Sequence, residues 1–126
     1  MRAKPSDKSI DSIALTNDMK SRLSFAIILV TAPNLKVARS LVTGALKAKL
    51  VACANVIRGV ESHYWWRGRI DTGREVLIVF KTRKPILPAL EKFILANHPY
   101  DTPEFVVLPI TSGSPRYLDW ISASLR

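Results

Sequence analysis

Only one cysteine, Cys53, and two histidines, His63 and His98, occur in the 126 residues. A lone thiol excludes an intramolecular disulfide and any cysteine-rich zinc module. It suits a reducing compartment, so a cytoplasmic location is expected. No apolar run approaches the roughly 20 residues that a membrane-spanning helix requires, and no membrane association is expected. Runs of five or more like charges are missing too. The sequence also lacks Gly-x-x-x-x-Gly-Lys, Gly-x-Gly-x-x-Gly and His-Glu-x-x-His. Those patterns cradle phosphates, bind dinucleotides and hold catalytic zinc, so their absence points away from an enzyme.

What is present is enough for one globular domain. Hydrophobic residues make up 48% of the chain, which excludes a disordered protein. The formal charge of +9 attracts phosphates in general, yet the basic residues are scattered. They read as a solvated surface, and nucleic acid is not the expected partner. Residues 1–22 are poor in apolar residues and without period, and are expected to form a flexible tail before a domain at 23–126. Lys20 and Arg22 precede Leu23–Ala32 in the manner of a signal peptide. That segment is read instead as the first strand, because cleavage at Ala32 would delete it. Met19 is a possible alternative start.

The patterns then follow in order. Phe25–Thr31 is a short apolar run before Pro33, a buried strand. Asn34 can cap a helix over Leu35–Leu50, with Val37, Leu41, Ala45 and Ala48 on one stripe. Gly44 inside it suggests close packing. Val51–Ile57 is a second strand, Arg58-Gly59 a bulge, and Val60–Arg67 an extension. Gly68 turns the chain. Asp71-Thr72-Gly73 predicts a kink, and Glu75–Thr82 a strong strand. Pro85 and Pro88 fit the first turn of a helix carrying Ile86, Leu90, Phe93 and Ile94. Glu104–Ile110 is the last strand, and Ser114-Pro115 opens a C-terminal helix.

The order β-α-β-β-α-β-α predicts an α+β, ferredoxin-like βαββαβ sandwich with an extended central hairpin and a C-terminal helix. The hairpin is too long for so small a sheet. Its end, Tyr64, Trp65 and Trp66, must project as an exposed aromatic edge, which is hazardous unless covered. A closed homo-oligomer with these residues in its interface is the economical solution. RNA-recognition domains share the plan, but their third strand carries exposed aromatics, whereas Val76, Ile78 and Phe80 with Leu77 and Val79 read as core. Acylphosphatases share it too, but Thr31-Ala-Pro-Asn34 lacks the glycine and arginine of their phosphate loop.

At Thr31-Ala32-Pro33, Leu50-Val-Ala-Cys-Ala-Asn55, Gly59-Val-Glu-Ser62, Tyr64-Trp-Trp-Arg-Gly68, Lys81-Thr82, His98-Pro-Tyr100, Pro103-Glu104, Leu108-Pro109 and Tyr117-Leu-Asp-Trp120, the chain resembles the CutA family of divalent-cation tolerance proteins. The resemblance covers about residues 25–126. It implies a ferredoxin-like fold, a tight homotrimer and a link to copper and other divalent metals. It also implies an architecture similar to PII signalling proteins.

Cys53 and His98 are the candidate metal ligands, since sulfur with imidazole suits copper and, less well, zinc. Each has a plainer reading. Cys53 lies among small strand residues and can pack as a small hydrophobe. His98 can be a surface residue at a helix end. His63 is read as an interface or solvent residue that Glu61 can orient. Family members proposed to bind copper can carry a cysteine and a second histidine where this chain has Val30 and Asn97. Lys81 interrupts an apolar strand, so it must pair with a carboxylate, with Glu104 the candidate, or line a cavity. In the latter case Trp66, Lys81, Tyr100 and Glu104 would line an inter-subunit crevice for a small anionic ligand or a partner protein.

Overall fold

The structure, a computed structural model, describes residues 24–126; the expected tail at 1–22 and Leu23 lie outside the described residues. The elements are β1 (Phe25–Ala32), α1 (Leu35–Lys47), β2 (Cys53–Trp66), β3 (Arg69–Arg83), a 3-10 turn (Lys84–Ile86), α2 (Leu87–Asn97), β4 (Val106–Pro109) and α3 (Pro115–Ala123). They form one four-stranded sheet in the order β2-β3-β1-β4. Every pairing is antiparallel. The α+β class and the order of elements are those expected.

Alternation sorts the sheet into two faces. Ala26, Ile28, Val30 and Ala32 of β1 and Val76, Ile78 and Phe80 of β3 point to one side. There they pack under Ala38, Leu41 and Ala45 of α1 and Leu90 and Ile94 of α2. Burying each large aliphatic side chain contributes about 1.5–3 kcal/mol, so this layer carries most of the stability. Thr82 also points inward, and its Oγ1 donates to the Leu50 carbonyl at 2.7 Å. Gly44 sits where α1 crosses α2. A Cβ there would collide with the tip of the Phe93 ring, which is the close packing expected. On the opposite face α3 covers one end only, where Leu118 and Ile121 bury Phe25. Among the described residues nothing else covers that face.

Asn34 Oδ1 accepts from the Val37 N–H at 2.9 Å and starts α1. The helix was expected to run to Leu50 but ends at Lys47. Lys49 has a φ of +55°, its N–H bonds to the Leu46 carbonyl, and the Leu50 N–H bonds to the Ala45 carbonyl. This is a Schellman termination, with Leu50 and Ala45 supplying its apolar contact. Val51 is buried in the link, so β2 begins at Cys53 rather than Val51.

The long hairpin matches expectation except at the kink. Asp71, Thr72 and Gly73 pair regularly with Tyr64, His63 and Ser62. The irregularity lies on β2, where Arg58 and Gly59 bulge between Ile57 and Val60 and Gly59 takes a φ of +74°. Beyond Val76, the last β3 residue paired to β1, the two strands run on alone. Arg69–Glu75 at ~3.4 Å per residue overhang the sheet by roughly 20 Å. Arg67 and Gly68 both have positive φ, as the two-residue turn between right-twisted strands requires. Tyr64, Trp65, Trp66 and Ile70 are exposed on this overhang.

Candidate functional site

The predicted site residues fall into two groups at opposite ends of the open face. Register places Cys53 opposite Lys81, and Lys81 opposite Ile27. His98 instead bonds to Thr31, four residues further along β1. At ~3.3 Å per residue that is about 13 Å along the strand, with further separation across the sheet. One chain therefore does not bring Cys53 and His98 together.

His98 is buried rather than on the surface, and both ring nitrogens are engaged. Nε2 lies 2.7 Å from the Thr31 carbonyl oxygen, and Nδ1 lies 3.1 Å from the Tyr100 backbone nitrogen. A carbonyl can only accept and an N–H can only donate. The proton therefore sits on Nε2, which donates to Thr31, and Nδ1 accepts from Tyr100. The Thr31 carbonyl lies beyond the last β1–β4 pair, Leu29 with Val106. His98 takes that acceptor, and β4 is correspondingly shorter than the Glu104–Ile110 expected.

By pinning the loop after α2, His98 delivers Tyr100 to Glu75. The Tyr100 hydroxyl donates to Glu75 Oε2 at 2.8 Å. The phenol pKa is pushed up to about 12, first by burial, then by the hydrogen bond to Glu75 and the charge beside it, and last by Tyr64. Glu104 belongs to the same end: its carboxyl is raised by partial desolvation and then by the Glu75 charge. Tyr100 and Glu104 thus do come together, around Glu75, which was not singled out from the sequence. A signal for it existed, because Glu75 has the parity of Lys81 and lies on the open face of β3.

The expected Lys81–Glu104 pair is not made. Lys81 Nζ instead donates to Asn55 Oδ1 at 3.2 Å and stands 5.6 Å above the Tyr117 ring. Cys53 Sγ also approaches Asn55 Oδ1, at 3.9 Å. Trp66 lies on the overhang, remote from both groups within one chain. His63 Nε2 meets Glu61 Oε2 at 2.7 Å on the exposed hairpin, the orientation expected.

Val30 and Asn97, the two positions compared above with a cysteine and a second histidine, have other roles here. Val30 is fully buried in the core, and Asn97 Nδ2 donates to the Phe93 carbonyl at 2.8 Å. Among the described residues no three His, Cys, Asp or Glu side chains gather into a possible metal site. The soft-donor set copper favours is therefore not assembled within one chain. The oxygen donors Glu75 and Glu104 are.

The fold and these clusters define a small α+β protein whose polar groups sit at the two ends of one open sheet face. The sequence model of the CutA1 divalent ion tolerance protein family matches residues 26–124, and the chain belongs to that family. It is 36% identical over 126 residues to the chloroplastic protein CutA of Arabidopsis thaliana, covering all of this chain and 69% of that protein. A chloroplastic rice relative is 42% identical over 100 residues, and the match spans 79% of this chain and 56% of that protein. The divalent-cation tolerance protein CutA of Escherichia coli K12 is 38% identical over 112 residues, covering 89% of this chain and all of that protein.

Solved structures agree. The crystal structure of CutA1 from Oryza sativa superposes with a TM-score of 0.81 at 40% identity, covering 84% of this chain and 97% of that one. The periplasmic divalent cation tolerance protein CutA of Archaeoglobus fulgidus gives 0.79 at 32% identity, covering 81% and 99%. Relatives are thus named for chloroplast and periplasm. No helix among the described residues is long and apolar enough to cross a membrane.

Proposed function

We propose that this chain is a non-enzymatic divalent-cation tolerance protein that works as a cytoplasmic, ferredoxin-like homotrimer, binding or sensing metal without turnover. The observation that carries the metal reading is the crowding of Glu75 and Glu104. Burial and then the charge of Glu75 raise the Glu104 carboxyl, and neither carboxylate has an ion pair with a lysine or arginine among the described residues. A divalent cation bound by these oxygens would offset the crowded negative charge. Copper, the metal expected from Cys53 and His98, would require His98 to give up a hydrogen bond or donors to come from neighbouring subunits.

Assembly is supported by the open face and the overhang. Ile57, Val106 and Leu108 are 46%, 43% and 44% exposed, and Trp65 and Ile70, paired directly across the hairpin, are 72% and 67% exposed. Apolar surface of this extent is what a subunit interface covers. Calorimetric titration of the tag-free protein with copper and with zinc tests the metal reading. Saturable uptake at a simple ratio to subunits that falls in Glu104→Gln, Cys53→Ser or His98→Ala supports it. Uptake that is absent, or unchanged in all three variants, overturns it.

A second reading is favoured by half-buried Lys81, whose ammonium meets, among the described residues, neutral Asn55 and an aromatic ring. In this reading the trimer is a PII-like signalling or scaffold protein. Trp66, Lys81, Tyr100 and Glu104 would then come from more than one subunit to line a crevice for a small anionic ligand or a partner protein. A thermal-shift screen of metabolites checks it. Ligands that shift the wild type and Lys81→Ala identically would remove it.

A further inference from the structure

We propose that the tip of the long hairpin carries a binding site for a small planar aromatic molecule bearing one carboxylate and an N–H donor. The site is independent of both readings above, since it uses neither the Glu75–Glu104 cluster nor Lys81. A cavity of about 360 Å³ opens at the tip, lined by Trp66, Arg67, Arg69, Ile70 and Asp71. That is the small end of ligand pockets, which span roughly 300–1,000 Å³. Register explains why these side chains meet. Trp66 pairs with Arg69 and Tyr64 with Asp71, so all four rise from one face of the ribbon, where diagonal neighbours lie about 7–8 Å apart. Trp65 and Ile70 pair on the other face. Arg67 and Gly68, both at positive φ, turn the chain between the strands, and the Arg67 guanidinium stands 5.5 Å from the centre of the Trp66 ring.

The charged groups of this cavity are accessible and uncommitted. Arg67, Arg69 and Asp71 are all exposed. Neither guanidinium has a hydrogen bond or an ion pair among the described residues. Asp71 Oδ1 accepts from the Thr72 N–H at 2.8 Å, which fixes the carboxylate and leaves its other oxygen without a partner among the described residues. Two guanidinium groups against one carboxylate leave a net positive charge, which suits an anion of low charge. A guanidinium is planar, stacks on aromatic faces and matches a carboxylate with its N–H fork. A ligand ring therefore fits against the Trp66–Arg67 pair, its carboxylate meets Arg69, and its N–H donates to Asp71. Interface cores are depleted in charge. The apolar Trp65–Ile70 face of the hairpin thus suits a subunit contact, whereas the face with Arg69 and Asp71 suits a ligand.

The test titrates the full chain at low ionic strength with para-aminobenzoate, which carries a flat ring, one carboxylate and an amine. Calorimetry measures the affinity, and proton–nitrogen correlation spectra follow the indole N–H signals of the three tryptophans. Saturable binding that shifts the Trp66 signal is expected. That signal is assigned through its own backbone resonances, so this readout on the wild type needs no variant to fold. Arg69→Met, which keeps the apolar stem, should weaken binding about tenfold or more, the loss expected for a charge-assisted bond. Arg67→Met should weaken it as well. Neutral para-aminobenzamide and amine-free benzoate should both bind more weakly than para-aminobenzoate. No saturable binding, as when a neighbouring subunit fills the cavity, overturns the proposal. So does binding that leaves the Trp66 signal unmoved, survives both arginine substitutions unchanged, or shows no preference over the two comparators.

Discussion

The imidazole of His98 holds the Thr31 carbonyl at 2.7 Å, joining the loop after α2 to the end of β1 across 67 residues of chain. The other nitrogen of the same ring holds the Tyr100 N–H at 3.1 Å. His98 is therefore a structural pin whose loss releases Tyr100 from Glu75.

Replacing His98 by alanine should destabilise the metal-free protein by about 2–4 kcal/mol, because a buried carbonyl and an N–H lose their partners together. Urea unfolding in the presence of a chelator measures this. A metal-free protein of unchanged stability would show that the pin carries no load and would return His98 to the ligand candidates.

Glu104 gives a pH dependence of definite sign. Its folded pKa is raised above the ordinary 4.5, so the native state binds its proton more tightly than the unfolded state does. This group therefore opposes folding once ionised, and its penalty is relieved as pH falls through the raised value towards 4.5. Glu104→Gln should be at least as stable as wild type at neutral pH and should lose that relief on acidification. Unfolding curves at several pH values compare the two. Parallel pH profiles would show that burial and the Glu75 charge do not raise the Glu104 carboxyl. The Tyr100 phenol, raised to about 12, should be among the last tyrosines to ionise in an alkaline absorbance titration.

Lys49 and Arg67 occupy left-handed backbone, with φ of +55° and +51°, without being glycine. Lys49→Gly at the end of α1 and Arg67→Asn in the hairpin turn should each stabilise the fold by about 0.5–1 kcal/mol. The second gain is reduced by loss of the Arg67 guanidinium from its place 5.5 Å over Trp66. Thermal unfolding of both variants decides, and a lower melting temperature for Lys49→Gly would contradict the strain argument.

Trp66 lies on the overhang that the proposed trimer covers. A glutamate at this position should yield soluble monomer or aggregate, as seen by sedimentation velocity. An intact trimer with unchanged melting temperature would show that the hairpin does not hold the assembly together.

Much of the fold was legible locally. A continuous apolar run marked β1 and alternation β3, Asn34 and the paired prolines marked helix starts, and Gly59 and Gly68 marked the bulge and the turn. Helix α1 was read too long because Lys49 terminates it without the glycine that usually signals such an end. Asp71-Thr72-Gly73 looked like a kink, yet Gly73 stays in regular strand with the Tyr64 hydroxyl 3.7 Å from where its Cβ would be. Of the site, Tyr100 and Glu104 were legible as polar groups crowded before a strand. The role of His98 was not, because its partner Thr31 is remote in sequence and no local spacing encodes that contact. The separation of Cys53 from His98 likewise follows only from strand register.

The strand order has a consequence for the chain as it is made. Among the described strands β1 is the first to leave the ribosome, yet both its neighbours come later: Val76–Arg83 on one side and Val106–Pro109 on the other. Its apolar run cannot be enclosed until nearly the whole domain has been synthesised. Such non-local closure slows folding and leaves an unpaired apolar strand on the nascent chain. The nascent polypeptide, rather than the finished protein, is therefore the stage at which this apolar strand is most exposed to aggregation.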